Sequence, residues 1–185
     1  MRDKSVAQLF VDPAKPGETV AVSARERKVI HAASILVVQP HHELAAQWRA
    51  ELIDFGMFGV QAVGSVEQAL EAMKQQTFIG IVVSANTVAE ASGAIQQLRP
   101  NGEPEVTDDG VEIPLLLVLS NPARANEIAA RRLGYEAILP APVHSRLIYR
   151  RMGSLMQKAR RSLRVRGIST QGGEFGIKVA ASADD

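Results

Sequence analysis

The sequence of 185 residues contains no cysteine and few aromatic residues. Without cysteine, the chain has no disulfide framework, no thiolate metal ligand and no cysteine nucleophile. One Trp, two Tyr and five Phe give no indication of stacking platforms for single-stranded nucleic acid. No apolar run approaches the roughly 20 residues that cross a bilayer, and the N-terminus lacks the apolar core of a signal peptide. We therefore expect a cytoplasmic protein without a transmembrane segment.

Acidic residues are missing from the stretch between His144 and Arg166. This stretch contains seven Arg and one Lys and therefore carries a charge of +8. Since the net charge of the whole chain is +1, the remainder carries −7. This separation of charge says more about binding partners than the overall composition does.

The chain divides into three parts. Residues 1–33 are expected to be an extension, with a short helix that starts at a capping box at Ser23. Residues 34–166 are expected to form one domain that includes a long basic last helix, and residues 167–185 a flexible tail rich in Gly, Ala and Ser.

Short apolar runs alternate with helical patterns between residues 34 and 166. The five runs predicted as strands are Ile35–Val38, Val60–Val63, Ile79–Val83, Leu115–Leu119 and Ala137–Leu139. A helix is predicted after each of these runs. The first has apolar residues at helical spacing and ends at Gly56, the second starts at a capping box at Ser65, and the third covers residues 88–98. The fourth runs from Asn121-Pro122 to Gly134, and the fifth begins near Ser145. Strand–helix alternation of this kind predicts an α/β fold: a three-layer, doubly wound, five-stranded parallel sheet in the order 2-1-3-4-5.

The connection over residues 99–113 is long and acidic. Asp109-Gly110, between Val106-Thr107 and Val111, suggests a small hairpin with a type I′ turn. Asp108 and Asp109 follow no apolar strand, so we interpret them as turn residues and not as a metal-binding pair. The acidic loop is predicted to face a basic partner or the basic helix of a second copy.

Three segments carry a resemblance to a known family. They are Ile35-Leu36-Val37-Val38, Gly64 through Leu70, and Ser120 through Pro142 with its terminal Leu139-Pro140-Ala141-Pro142. Over about 110 residues the chain resembles the receiver domains of two-component response regulators, the CheY-like phospho-accepting modules. The resemblance implies a flavodoxin-like sheet and a phosphorylation site at the carboxyl ends of the strands.

The residues that the resemblance assigns to that site are mostly replaced. The two acidic metal ligands fall at Gln39 and Pro40, and the phospho-accepting Asp falls at Ser84 or Ala85 by two different counts. The hydroxyl residue is kept as Ser120. The lysine before Pro142 becomes Ala141, and the aromatic switch position becomes Ile138.

The resemblance therefore implies a degenerate, or pseudo-, receiver domain. Phosphorylation of this type needs a carboxylate nucleophile, a divalent ion and a cation beside the phosphoryl oxygens, and the sequence lacks all three together. Ser84 is a poor substitute because no base is evident beside it. We expect no enzyme activity, no metal and no cofactor.

His41-His42-Glu43 follows the first strand, near the mouth of the expected crevice. Metal ligation by these side chains is the alternative to a polar cluster at the start of a helix. The polar cluster is favoured because adjacent residues of a helix point to different faces.

The last predicted helix has an apolar stripe, formed by Ile148, Met152, Leu155, Met156, Ala159 and Leu163. At 1.5 Å per residue it would span roughly 33 Å, so about two turns are predicted to project beyond the sheet. Three interpretations stay open: a solvated basic face, a protein-binding or dimerising helix, and a phosphate-binding helix.

The favoured function is that of a non-phosphorylatable regulatory or scaffold protein in bacterial signal transduction, which binds protein partners and forms a possible homodimer. The candidate partner-binding residues are Arg131, Arg132, Tyr135, Arg146, Tyr149, Arg150 and Met156. The alternative is a binder of phosphate or nucleotide, either nucleic acid or cyclic di-GMP. Its candidate residues are Arg150, Arg151, Arg160, Arg161 and Arg164.

Overall fold

A computed structural model of the protein describes residues 34–57, 59–120 and 123–171, with only the backbone for 166–171. The short helix expected before residue 34, the helix start at Asn121-Pro122 and the tail from residue 172 lie outside the described residues.

Five parallel strands form one sheet. They are β1 (Ser34–Val38), β2 (Gly59–Val63), β3 (Gly80–Ala85), β4 (Leu115–Leu119) and β5 (Ala137–Pro140). The strand order is β2-β1-β3-β4-β5, which confirms the predicted doubly wound sheet. Strand β1 pairs with β3 so that Val38 lies beside Val83, and β3 pairs with β4 so that Ala85 lies beside Leu119.

Five helices connect and follow the strands. They are α1 (His42–Asp54), α2 (Val66–Gln75), α3 (Val88–Leu98), α4 (Arg124–Leu133) and α5 (Ser145–Gln171). Gly134 ends α4 with a φ of 106°, the left-handed conformation that favours glycine at this position. The predicted end of α5 at Arg166 is wrong, because the helix continues to Gln171 and so includes part of the expected flexible tail.

Side chains that alternate along the strands are buried on both faces of the sheet. On one face, Leu36, Val83 and Leu117 belong to a core with apolar residues of α2, α3 and α4. On the other face, Val37, Val82 and Leu116 belong to a core with Trp48 of α1 and Met152 of α5. The three-layer architecture follows, because a sheet with apolar side chains on both faces must be covered on both.

Two helices begin at side-chain caps. The Oγ of Ser65 accepts the N–H of Gln68, and the side chain of Gln68 accepts the N–H of Gly64. Thr87 and Glu90 repeat this arrangement at α3, where Glu90 accepts the N–H of Asn86. The cap at Ser65 was predicted from the sequence, whereas the one at Thr87 was missed.

Helix α5 lies very close to the start of β3. A Cβ atom added at Gly80 would lie 2.5 Å from Sδ of Met152, and Met152 is completely buried. The absence of a side chain at Gly80 therefore lets α5 pack directly on the sheet. No helix in the described part of the chain is long and apolar enough to cross a membrane.

Replacement of Gly80 tests this close approach. We expect Gly80→Ala to lower the free energy of unfolding by about 1–3 kcal/mol, because the added methyl group overpacks the core against Met152. The matched control is Gly93→Ala in α3, where nothing lies within 4 Å of the added Cβ. That control is expected to stabilise by about 0.5–1 kcal/mol through helix propensity. Urea denaturation measures both, and equal effects of the two variants would contradict the packing argument.

Candidate functional site

The carboxyl ends of β1, β3 and β4 meet at one edge of the sheet, as the parallel register requires. The main-chain N–H of Ser120, just after β4, donates to the carbonyl of Ala85 at the end of β3 over 3.1 Å. The Ser120 hydroxyl donates to Oδ1 of Asn86, also over 3.1 Å. Gln39 follows β1 at the same edge. The residues that the resemblance assigns to a phosphorylation site are thus brought together, with neutral side chains.

Gln39 takes part in the local structure of this edge. It is only 1% exposed, and its main-chain N–H donates to the carbonyl of Val63 in β2 over 2.9 Å. Its side-chain Oε1 accepts the N–H of His41 over 3.1 Å. His41 caps α1 without a side-chain hydrogen bond of its own. The amide oxygen of Gln39 therefore supports the turn between β1 and α1.

The side chains beside this edge do not form a metal site within the described residues. No group of three or more His, Asp or Glu side chains there is placed to hold a metal ion. His41, His42 and Glu43 are all exposed at the start of α1. The Glu90 carboxylate accepts the N–H of Asn86 and so stabilises the N-terminus of α3. The residues at the receiver-site positions are uncharged, and the carboxylates at this edge are those of Glu43 and Glu90 at the starts of α1 and α3.

The end of β5 completes the edge. The Ala141 N–H donates to the carbonyl of Leu119 over 2.9 Å, and the peptide bond between Ala141 and Pro142 is cis. Ile138, at the aromatic switch position of the resemblance, is 9% exposed. This corner therefore offers an alanine methyl group where an ammonium would be needed to offset phosphoryl charge.

Two of the candidate partner-binding residues are buried, and the prediction is wrong for both. Tyr135 is 2% exposed and donates its hydroxyl to the carbonyl of Ala91 over 2.8 Å. Its burial raises the pKa of the phenol, an effect that the charge of Arg99 partly opposes. Met156 is also 2% exposed, in the core between the sheet and α5. Neither side chain is available to a partner in this structure.

The remaining candidates lie on two helices that cover opposite faces of the sheet. Arg131 and Arg132 are exposed on α4, and Arg150 is exposed on α5. Tyr149 packs against Phe55 at the end of α1, with ring centroids 5.7 Å apart and planes at 50°. This contact turns its side of α5 toward α1, so the sequence-based set does not form one continuous patch.

The candidate anion-binding residues are all exposed along α5. At about 100° per residue, Arg150, Arg151, Arg160, Arg161 and Arg164 spread over half the circumference of the helix. Arg160 alone of these lines a cavity, of about 20 Å³, with Thr107 and Asp109. That volume holds about one water molecule. The arrangement matches an extended anionic surface better than an enclosed mononucleotide.

The acidic connection forms a hairpin between residues 105 and 113, but the predicted type I′ turn is wrong. The Thr107 N–H donates to the carbonyl of Val111, and the Gly110 N–H donates to that of Thr107. Gly110 has a φ of 77°, and no residue other than glycine has a positive φ in the described chain. A three-residue loop with glycine in the left-handed position is the result. The Thr107 hydroxyl donates to the Asp109 carboxylate.

The hairpin faces the basic helix of its own chain. Thr107, Asp109 and Val111 line the small cavity together with Met156 and Arg160 of α5. A Cβ atom added at Gly110 would lie 3.7 Å from Leu163. The basic surface beside the acidic loop is thus the last helix of the same chain, and the predicted contact with a basic partner or a second copy stays a prediction.

A buried arginine that sequence reasoning missed holds the hairpin to the domain. Arg99 is 8% exposed and donates to the carbonyls of Ile113 over 2.8 Å and Gly134 over 3.1 Å. It also pairs with the Glu136 carboxylate over 3.1 Å. Glu136 in turn accepts the N–H of Leu115. The only sequence signal was an arginine directly after a helix with an apolar face.

Comparison with known proteins identifies the fold. Neither the family models nor the curated proteins contain a match to this chain. Solved receiver structures are similar to it. An orphan response regulator of H. pylori has 15% identity and a TM-score of 0.55, with 68% of this chain and 98% of that chain covered. The chain has the receiver fold.

Two further structures agree. The receiver domain of the Francisella response regulator 1452 has 14% identity and a TM-score of 0.56, with 68% of this chain and 98% of that chain covered. An atypical orphan response regulator, described as having a phosphorylation-independent regulatory mechanism, has 17% identity and a TM-score of 0.52. The alignment covers 67% of this chain and 95% of that one. At these identities the similarity concerns the fold.

The Arg99 cluster yields a stability prediction. We expect Arg99→Met to lower the free energy of unfolding by about 2–3 kcal/mol, because two carbonyls and one carboxylate lose a largely buried donor. The matched control is Arg131→Met on the exposed face of α4, with an expected change within about 0.5 kcal/mol. Thermal and urea unfolding of both variants provide the measurement. If Arg99→Met unfolds with the same free energy as the wild-type protein, this cluster does not hold the hairpin.

Proposed function

We propose that this protein is a receiver-like regulatory or scaffold protein of a bacterial signalling pathway, which acts by binding other proteins and does not carry a phosphoryl group. The proposal rests on one observation: the receiver-site positions at the carboxyl ends of the strands hold uncharged side chains. Gln39, Pro40, Ala85 and Ala141 occupy the positions where the resemblance requires charged side chains. A receiver fold without those charges can still bind other proteins through its surface, but it lacks the groups that phosphorylation requires.

The register of the strands favours Ala85 over Ser84 as the counterpart of the phospho-accepting residue. Val83 and Ala85 belong to the same core face, whereas Ser84 points to the other side of the sheet, since side chains alternate along a strand. The carbonyl of Ala85 accepts the N–H of Ser120, the retained hydroxyl residue. A methyl group at this position cannot act as a nucleophile.

The proposed partner surface consists of the exposed members of the predicted set. Arg131 and Arg132 are exposed on α4, and Arg150 is exposed on α5 across the sheet, so the proposed contacts form two separate basic areas. Arginine is favoured at protein interfaces because its planar guanidinium pairs with carboxylates in two places at once. An acidic protein surface is the partner chemistry that fits.

A second function is supported by the length and charge of α5. The helix has 27 residues, and its exposed arginines between positions 150 and 164 spread over half of its circumference. A surface of this type binds polyanions such as nucleic acid through phosphate contacts, with a steep dependence on salt. We keep it as the alternative because the residues do not converge on a pocket that would select one nucleotide.

Restoration of the acidic residues tests the proposed loss of chemistry. We expect the wild-type chain to remain unlabelled by acetyl phosphate with Mg²⁺, as measured by intact-protein mass. The variant Gln39→Asp/Pro40→Asp/Ala85→Asp is expected to gain Mg²⁺ binding, because three carboxylates then meet at one edge. The matched control moves the third change to Ser84→Asp, on the other face of β3, and is expected to bind Mg²⁺ more weakly. Labelling of the wild-type chain would overturn the proposal.

Partner capture tests the surface. We expect the full chain to retain a specific protein from native lysate, and Arg131→Glu/Arg132→Glu/Arg150→Glu to lose it. The control for added acidic charge is Ala46→Glu/Ala50→Glu, at two exposed positions of α1. Mass spectrometry identifies the retained protein after nuclease treatment. Recovery that disappears with nuclease and falls steeply with salt would replace the favoured function by the polyanion-binding alternative.

A further inference from the structure

Two exposed apolar side chains stand among charges of opposite sign. Within the described residues, the large apolar side chains that remain exposed are Val106, Ile128, Leu147, Leu163 and Val165. Ile128 lies on α4 among arginines, and Val106 lies on the acidic hairpin. A single exposed apolar side chain is common on protein surfaces. These two residues are distinguished because each is surrounded by charges of one sign.

The first surface is the outer face of α4, which we call the α4 patch. Ala130 is the buried residue of this helix, and Ile128, about 160° around the axis from it, is 45% exposed. Residues three and four positions away on a helix are its surface neighbours. For Ile128 these neighbours are Ala125 and three arginines, Arg124, Arg131 and Arg132, all exposed. An isoleucine therefore lies at the centre of three positive charges.

The second surface is the outer face of the hairpin, which we call the hairpin patch. Val106 is 56% exposed and pairs across the hairpin with Glu112. The carboxylate of Asp108, two residues along the chain from Val106, is also exposed. Thr107 points the other way, into the cavity beside α5. A valine therefore lies among negative charges on the face that is turned away from the domain.

The two patches are complementary to each other in charge, but neither is complementary to a second copy of itself. Each has one exposed branched apolar residue, and the charges around the two residues are opposite in sign. Pairing of two α4 patches would bring six arginines together, and pairing of two hairpin patches would bring carboxylates together, both of which are unfavourable. A symmetric homodimer through the α4 patch is disfavoured for the same reason.

The hairpin is fixed in position by the rest of the fold. Arg99 ties the strand after it to the turn between α4 and β5 through Ile113 and Gly134. The hairpin packs on α5, whereas α4 packs on the other face of the sheet. The hairpin and α4 of one copy therefore pack on opposite faces of the sheet.

We propose that the protein associates with itself head to tail, with the hairpin patch of one copy on the α4 patch of the next. Val106 and Ile128 form the apolar contact, and carboxylates of the hairpin pair with Arg124, Arg131 and Arg132 around it. An interface between two different patches is heterologous, so it generates rings or open chains and not an isolated symmetric pair. The inference goes beyond the proposed function, although it shares α4 with the proposed partner surface.

Sedimentation of the full chain tests the proposal. At low salt, the average mass of the wild-type protein is expected to rise as the concentration increases from micromolar to near millimolar, and to fall again as salt screens the charges around the contact. Val106→Arg and Ile128→Glu are each expected to remain monomeric. The matched control is Leu147→Glu, because Leu147 is 44% exposed and lies outside both patches. That control is expected to associate like the wild-type chain.

A mixture of the two monomeric variants gives the decisive result. Val106→Arg keeps an intact α4 patch and Ile128→Glu keeps an intact hairpin patch, so the mixture is expected to associate through these two intact patches. Circular dichroism establishes that the variants are folded. A monomeric wild-type chain, association of either single variant, or a mixture that stays monomeric would overturn the proposal. If the wild-type chain stays monomeric but still retains a protein partner, only the self-association is refuted.

Discussion

The parallel pairing of β1 and β4 with the central strand β3 is the constraint on which the rest of the structure depends. It sets Val38 beside Val83 and Ala85 beside Leu119, and so fixes which residues meet at the carboxyl edge. Because both faces of the sheet are apolar, a shift of one residue would move core side chains to the wrong face. The position of each edge residue is thus determined by the core and does not need the chemistry that receivers usually place there.

Because the core alone fixes the positions of the edge residues, uncharged side chains can occupy them without loss of the fold. Carboxylates gathered at one edge repel one another and need a cation to offset their charge. Gln39 instead uses its amide oxygen to accept the N–H of His41, and Ser120 donates to Asn86. These bonds satisfy the polar groups of the loops without a metal ion. The stability of the domain then comes from its two apolar cores.

The sequence predicted the architecture because its signals are local and repeated. The apolar runs, the capping box at Ser65 and the glycine at the end of α4 each specify one element, and the crossover rule orders the sheet. The site was predicted less completely. Tyr135 was assigned to the partner surface by analogy with the receiver family, but its ring is buried and its hydroxyl donates to the carbonyl of Ala91. Arg99 was missed because its partners at Ile113, Gly134 and Glu136 are distant in sequence. Ile128 was missed because exposure depends on which face of α4 meets the core.

The central claim is that this receiver fold does not bind a phosphoryl group. The most direct measurement is an NMR titration of the wild-type protein with Mg²⁺ and beryllium fluoride, a stable mimic of an aspartyl phosphate. The account predicts that the amide signals of Gln39, Ala85 and Ser120 do not shift in a saturable way at the concentrations that saturate phosphorylatable receivers. Saturable shifts confined to this edge would contradict it.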